Sequence, residues 1–197
     1  ATSSLTDTTL TFRSNQGDYN IAIGSYALDA ITDGTNNVAI GHQALTQLTG
    51  EDFNTAIGHQ VGIDVIGHSN VLLGHQAAYD AADIDHCIAI GRAALKGDGS
   101  TAPSGDYNIA IGSYAMDATT SGANNIAIGH NAGTSITDQN YSIAVGPSAL
   151  ANDAASGASI AIGYAALEDQ NTASSYNVAI GHQAATNLNG GTDSVYM

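Results

Sequence analysis

Large and small apolar residues alternate through one short phrase that recurs along the whole chain. It reads Asn, Ile or Val, Ala, Ile, Gly, two variable residues and Ala, and its ten copies place glycine at 24, 41, 58, 74, 91, 112, 129, 146, 163 and 181. The intervals are 17, 17, 16, 17, 21, 17, 17, 17 and 18 residues. A unit of this size is one coil of a solenoid, too small to bury its apolar side until neighbouring coils stack on it. Counted from glycine as position zero, −1 is Ile, Leu or Val throughout, and −3 is aliphatic except at Thr55. Position −2 is Ala except at Leu72. Alternation of this kind predicts a strand with two different faces. Ala at +3, except Val61, with Leu or Met often at +4, predicts a second short strand or extended piece after the glycine. Polar stretches such as residues 29–36 predict corners. The fold class is therefore all-β, a parallel β-roll or β-solenoid of about ten 17-residue coils.

On this pattern the Ile and Val positions face the coil's own core, and the Ala positions meet something flat and close. Ala22, Ala39, Ala56, Leu72, Ala89, Ala110, Ala127, Ala144, Ala161 and Ala179 would stack about 4.8 Å apart into a stripe of small residues. A stripe of that length left in water marks an association surface, so these ten residues are the expected interface between subunits. Asn at −4, as at Asn20, Asn37, Asn54 and Asn70, is expected to stack as a ladder bonded to corner backbone groups.

The phrase resembles the head repeat of YadA-like trimeric adhesins, over roughly residues 19–197. The wording Asn54-Thr55-Ala56-Ile57-Gly58-His59-Gln60 looks more like related repeats of phage tail fibres. The resemblance implies a left-handed parallel β-roll in a homotrimer, with the motif strand on the threefold side. The rival is the triangular β-helix of hexapeptide acyltransferases, whose unit Ile40-Gly41-His42-Gln43-Ala44-Leu45 matches. Its next two hexads would have to begin with aliphatic residues at 46 and 52, where Thr46 and Asp52 stand. One matching side per coil favours the flatter roll.

The coils form two blocks of five, 18–105 and 106–193, within a repeat domain of 18–197. The phrase from Asp18 to Ala30 returns from Asp106 to Ala118. The 21-residue interval adds four residues within 96–105, expected to leave the coil as a surface loop. Residues 1–17 break register, and Thr8 to Phe12 predicts a cap or linker strand over the first coil's edge. Ser194 to Met197 occupy −4 to −1 of an eleventh coil whose glycine falls due at 198, as expected of part of a longer fibre.

Charge narrows the partners. Eighteen acidic residues face only Arg13, Arg92 and Lys96, a formal net charge of −15, so nucleic acid and polybasic membrane contacts are not expected. No apolar run is long enough to enter a membrane as a helix. Cys87, the single cysteine, stands in the Asn slot and reads as a substitution within the repeat.

Candidate chemistry is sparse. His42, His59 and His75 share +1 on consecutive coils and could stack into a metal-binding column, against which stands a solvated or Gln-paired corner ladder. Asp80, Asp83 and Asp85 near His86 could attract calcium, but corners also collect Asp for turn hydrogen bonds. Tyr26, Tyr79, Tyr114, Tyr141, Tyr164 and Tyr176 could stack on sugars or pack the corners. No catalytic residue and no cofactor is predicted. The expected function is a structural and adhesive fibre segment of a virion, a phage tail fibre or tailspike, that spaces or presents binding to a host receptor or glycan. Its partners would be two further copies and other fibre or virion proteins. The alternatives are a bacterial surface adhesin head and, further off, a glycan-active enzyme or hexapeptide-type acyltransferase.

Overall fold

The computed structural model describes residues 10–11, 19–97, 99, 101–152, 158–170, 176–188, 191 and 193–197. These are all-β, with no helix, and wind into a parallel β-solenoid. Each coil contributes one three-residue strand: Ile21–Ile23, Val38–Ile40, Thr55–Ile57, Val71–Leu73, Ile88–Ile90, Ile109–Ile111, Ile126–Ile128, Ile143–Val145, Ile160–Ile162 and Val178–Ile180. All ten pair in parallel and strictly in register, Ala22 beside Ala39 and so on to Ala179. Leu10–Thr11 pairs antiparallel with the first strand, Leu10 opposite Ile23, as expected of an edge cap, although the rest of 1–17 lies outside the described residues. Val195–Tyr196 continues the sheet at the other end in the register of an eleventh coil.

The glycine column shows why the period is exacting. Gly24 has φ of +130°, and a Cβ built on it would sit on the carbonyl oxygen of Gly41 one coil up; the same holds for Gly41 beneath Gly58. Here glycine supplies both the backbone conformation and the close approach of successive coils.

After the glycine the chain does not form the expected second strand. Residues +2 and +4 take positive φ, as at Gln43 (57°) and Leu45 (49°), so the backbone advances as linked turns. These turns still hydrogen-bond from coil to coil: Leu28 N–H donates to the Ala44 carbonyl at 3.0 Å, and Gln43 N–H to the Ser25 carbonyl at 2.8 Å. Among the described residues, only Asp169–Gln170 and Asn187–Leu188 pair there as a short second sheet. Alternating backbone handedness satisfies the N–H and C=O groups that a strand would otherwise carry.

The interior reverses the expected faces. Ala39, Ala56, Leu72, Ala89, Ala110, Ala127, Ala144, Ala161 and Ala179 are fully buried within this single chain, and Ala22 nearly so. The ten residues expected at a subunit interface line the coil's own core instead, and no second chain can reach them. The reason is volume. Position +4 (Leu28, Leu45, Leu95, Met116, Leu150, Leu167) and position +7 (Leu48, Val65, Ile136) already fill the lumen with large side chains, and Ala at −2 and +3 leaves them room. A third wall of Ile would overfill it, so Ile and Val at −3 and −1 turn outward.

One exception is compensated locally. Leu72 replaces Ala at −2, and one coil below it the +4 residue is Gly62, whose Cβ would lie 2.8 Å from Leu72 Cδ1. The side chain omitted at 62 is the space that Leu72 occupies.

The four-residue insertion behaves as predicted at its exposed residues. Gly99, Thr101 and Ala102 are exposed, while the chain rejoins the stack at Pro103, whose carbonyl accepts the Ala82 N–H at 3.0 Å.

Candidate functional site

The strand side of the solenoid presents four parallel columns to the outside. Two central columns, −3 and −1, are aliphatic except at Thr55: Ile21 is 42% exposed, Ile128 38% and Ile180 46%. They run beside one another over ten coils on a regular sheet, about 45 Å long at strand spacing. Column +1 borders them on one side and column −5 on the other.

Column +1 carries the histidines. His42, His59 and His75 are exposed and stack face to face, with ring centroids 5.1 and 5.3 Å apart and interplanar angles of 14° and 5°. Rings stacked in this way hold their nitrogen lone pairs in parallel planes, so the three imidazoles do not converge on one ion. The neighbouring glutamines pair with one another: Gln60 Nε2 donates to Gln43 Oε1, and Gln76 Nε2 to Gln60 Oε1, both at 3.1 Å. Tyr26 closes the column below, edge-on to His42 at 6.0 Å. Arg92 takes the slot above His75 and lays its guanidinium 5.2 Å from the centre of the Tyr114 ring. Among the described residues no group of three His, Cys, Asp or Glu side chains is arranged to hold a metal.

The corner leading into the strand is held by two ladders of opposite polarity. In the first, the −4 asparagine reaches up. Asn37 Oδ1 accepts the Asn54 N–H at 2.9 Å, Asn54 Oδ1 accepts the Asn70 N–H at 3.0 Å, and Asn54 Nδ2 donates to the Gly67 carbonyl at 2.8 Å. In the second, the −6 side chain reaches down, as Asp85 Oδ1 accepts the His68 N–H at 2.6 Å and Asp106 Oδ1 accepts the Asp85 N–H at 2.9 Å. These bonds were legible in the sequence for Asn but not for Asp.

Asp52 belongs to the second ladder. The Thr35 backbone N–H and hydroxyl that donate to it, with nearby His68, hold its carboxyl below the usual range. Asp64 moves the other way, raised by burial and by the charge of Asp80, and burial also raises Asp117 against the opposing pull of Lys96. Asp80, Asp83 and Asp85 are therefore not one cluster: they occupy +6, +9 and the −6 ladder.

Cys87 replaces Asn in the first ladder. Its N–H is held by Asn70 Oδ1 at 2.9 Å, and its Sγ accepts the Asn108 N–H and donates to the Gly105 carbonyl, both at 3.4 Å. Burial pushes the thiol up to about 12, so it carries no thiolate at neutral pH.

Column −5 is the feature that sequence reading missed. Tyr19, Phe53, Tyr107, Tyr141 and Tyr176 all stand in it with φ between 58° and 66°, and all are more than half exposed. His86 also stands there and stacks on Tyr107 at 5.0 Å and 9°. Of the tyrosines singled out by sequence, only Tyr141 and Tyr176 belong to it. Reading the −5 slot down successive coils would have exposed the rest.

Comparison of the chain with family models, curated proteins and solved structures finds no match.

Proposed function

We propose that the chain is a structural and adhesive segment of a homotrimeric fibre, of the phage tail-fibre or tailspike kind, that spaces or presents host-receptor binding. The observation that carries this reading is the double aliphatic column at −3 and −1. Monomeric proteins rarely leave so long an apolar strip in water, and its straight, in-register geometry suits a second identical strip laid alongside. Three copies rather than two follows from the resemblance of the repeat to trimeric adhesin heads. In this reading the association surface is the Ile and Val face, not the Ala stripe, and the chain is not an enzyme: the polar groups of its corners are spent on binding coil to coil. The fibre belongs to a virion, where other fibre proteins would meet its ends.

Sedimentation equilibrium of the full chain tests the assembly, with three times the 19.8 kDa chain mass expected. Ile128→Asp with Ile162→Asp should give the monomer while leaving the β-sheet circular dichroism signal intact. A wild-type monomer at micromolar concentration overturns the reading.

A further inference from the structure

The two columns that border the aliphatic strip, −5 and +1, complement one another in size, coil by coil. Wherever +1 is short, −5 carries a ring: Ser25 shares its coil with Tyr19, Ser113 with Tyr107 and Pro147 with Tyr141. Wherever −5 is short, the large side chain stands at +1: Asn36 goes with His42, Ser69 with His75, Asn124 with His130 and Ala158 with Tyr164. No coil is short at both. The remaining three are large at both, and each sets a basic side chain level with a ring, His59 with Phe53, Arg92 with His86 and His182 with Tyr176.

Packing within one copy does not account for this. The two aliphatic columns lie between −5 and +1, and among the described residues no ring contact crosses them. Contacts run along each border instead, His42, His59 and His75 in one and His86 and Tyr107 in the other. Those adjacent stacks also show that neither column must skip a rung for room. A ring at −5 is moreover the harder choice, because Asn or Gly accepts the positive φ there more readily.

Between copies the relation has a cause. When identical strips associate in the same direction about an axis along the rod, the −5 border of one copy meets the +1 border of the next. Rings stacked face to face along a column present their edges outward within their own level. Each can therefore enter a notch at the same level across the seam. Other arrangements lose the fit. An antiparallel pair sets each column against itself, with Tyr19 level with Tyr176 and Phe53 with Tyr141. A slip of one coil either way sets large against large, as Tyr19 against His42 or Tyr141 against His130.

We propose that columns −5 and +1 form the seam between neighbouring copies of this chain, parallel and coil level with coil, the rings of one border seated over the short residues of the other. The proposal rests on the association reading above and adds the residues that set direction and register. The aliphatic strip is nearly the same at every coil, so it tolerates sliding and reversal; the borders penalise both.

Cross-linking of the full chain with a short bis-maleimide is the test. Cys87 is buried with its thiol pushed up to about 12, so it offers no reactive thiolate. Tyr107→Cys with Ser113→Cys places one thiol on each border of the same coil, and denaturing gels should show two and three chain masses. Phe53→Cys with Tyr141→Cys, the levels that an antiparallel pair would join, should stay at one. Register is read by size. Ser113→Tyr fills a notch and should weaken association about tenfold or more; adding Tyr107→Ser, which moves the ring to the other border, should restore it, with the β-sheet circular dichroism signal unchanged in both. Association without the 107 to 113 link, linkage through 53 and 141, or failure of the rescue overturns the seam and leaves the association reading standing. A wild-type monomer overturns both. A two-copy mass in sedimentation with the 107 to 113 link formed supports the seam and overturns only the threefold number.

Discussion

The two five-coil blocks share their strands and glycines but not their corner ladders. From Asn20 to Asn70 the first block carries four asparagines in succession, each tied to the coil above, and only then the thiol of Cys87. The second begins with Asn108 and Asn125 but continues with Ser142 and Ser159 before Asn177. Ser142 still offers its N–H to Asn125 Oδ1 at 2.8 Å, yet its own buried hydroxyl has no hydrogen-bond partner among the described residues. At the next level Ser159 Oγ accepts the Asn177 N–H only at 3.4 Å. Serine, shorter than asparagine, reaches the next coil only at this long distance or not at all. The difference shows that strand pairing and the turn hydrogen bonds keep the coils in register where the asparagine ladder lapses, and that the asparagines add a further, separable tie.

The largest expected effect comes from breaking the intact ladder. Asn54→Ala leaves the Asn70 N–H and the Gly67 carbonyl buried without the partners they now have, and should cost about 2–5 kcal/mol. Chemical denaturation of the variant beside Ser142→Ala checks it, since the latter removes a group that bonds nothing and should change stability little.

Next is the packing exception of the first block. Gly62→Leu restores the commonest +4 residue but meets Leu72, at a cost of about 1–3 kcal/mol. Adding Leu72→Ala should recover most of it, and a double-mutant cycle that shows plain additivity would contradict the compensation.

Repairing the second block should give the opposite sign. Ser142→Asn extends the side chain to the coil above and should stabilise by about 1 kcal/mol, read as a rise in melting temperature.

Acid gives the smallest contrast. Asp52 has a carboxyl held below its ordinary range, so its contribution is fully present above the unfolded value and is lost as pH falls through the lower folded value. Asp64 and Asp117 are raised, so the stability their protonated forms confer is lost as pH rises from the unfolded value through the folded one. Asp52→Asn should therefore lie below wild type at neutral pH and converge with it on acidification. A gap that stays constant to the acid end would remove the carboxylate from the second ladder.

Much of the solenoid was legible because a repeat averages its own noise. Ten glycines gave the coils, the Asn slot gave the first ladder, and the late glycine gave the loop at 96–105. The orientation of the strand was not legible from the strand itself, since alternating Ile and Ala has no intrinsic inside. It could have been taken from +4 and +7, where Leu45 and Leu48 already supply the bulk that one thin lumen accepts. The post-glycine turns were hidden for a different reason: Gln43 and Leu45 adopt positive φ because neighbouring coils hold them there, and neither residue type prefers it. The aromatic column escaped because its regularity lies across coils, not along the chain.

The two ladders also bear on mechanics. Bonds between coils run along the long axis, so a pull on the ends of such a rod would load its levels in series, and the poorest level would set its strength. Strands, turns and corners share the load within each level, and the corner share shrinks where Ser142 and Ser159 stand. A fibre built from this chain would be expected to yield first in its second block, above the eighth strand, with the coils below it still closed.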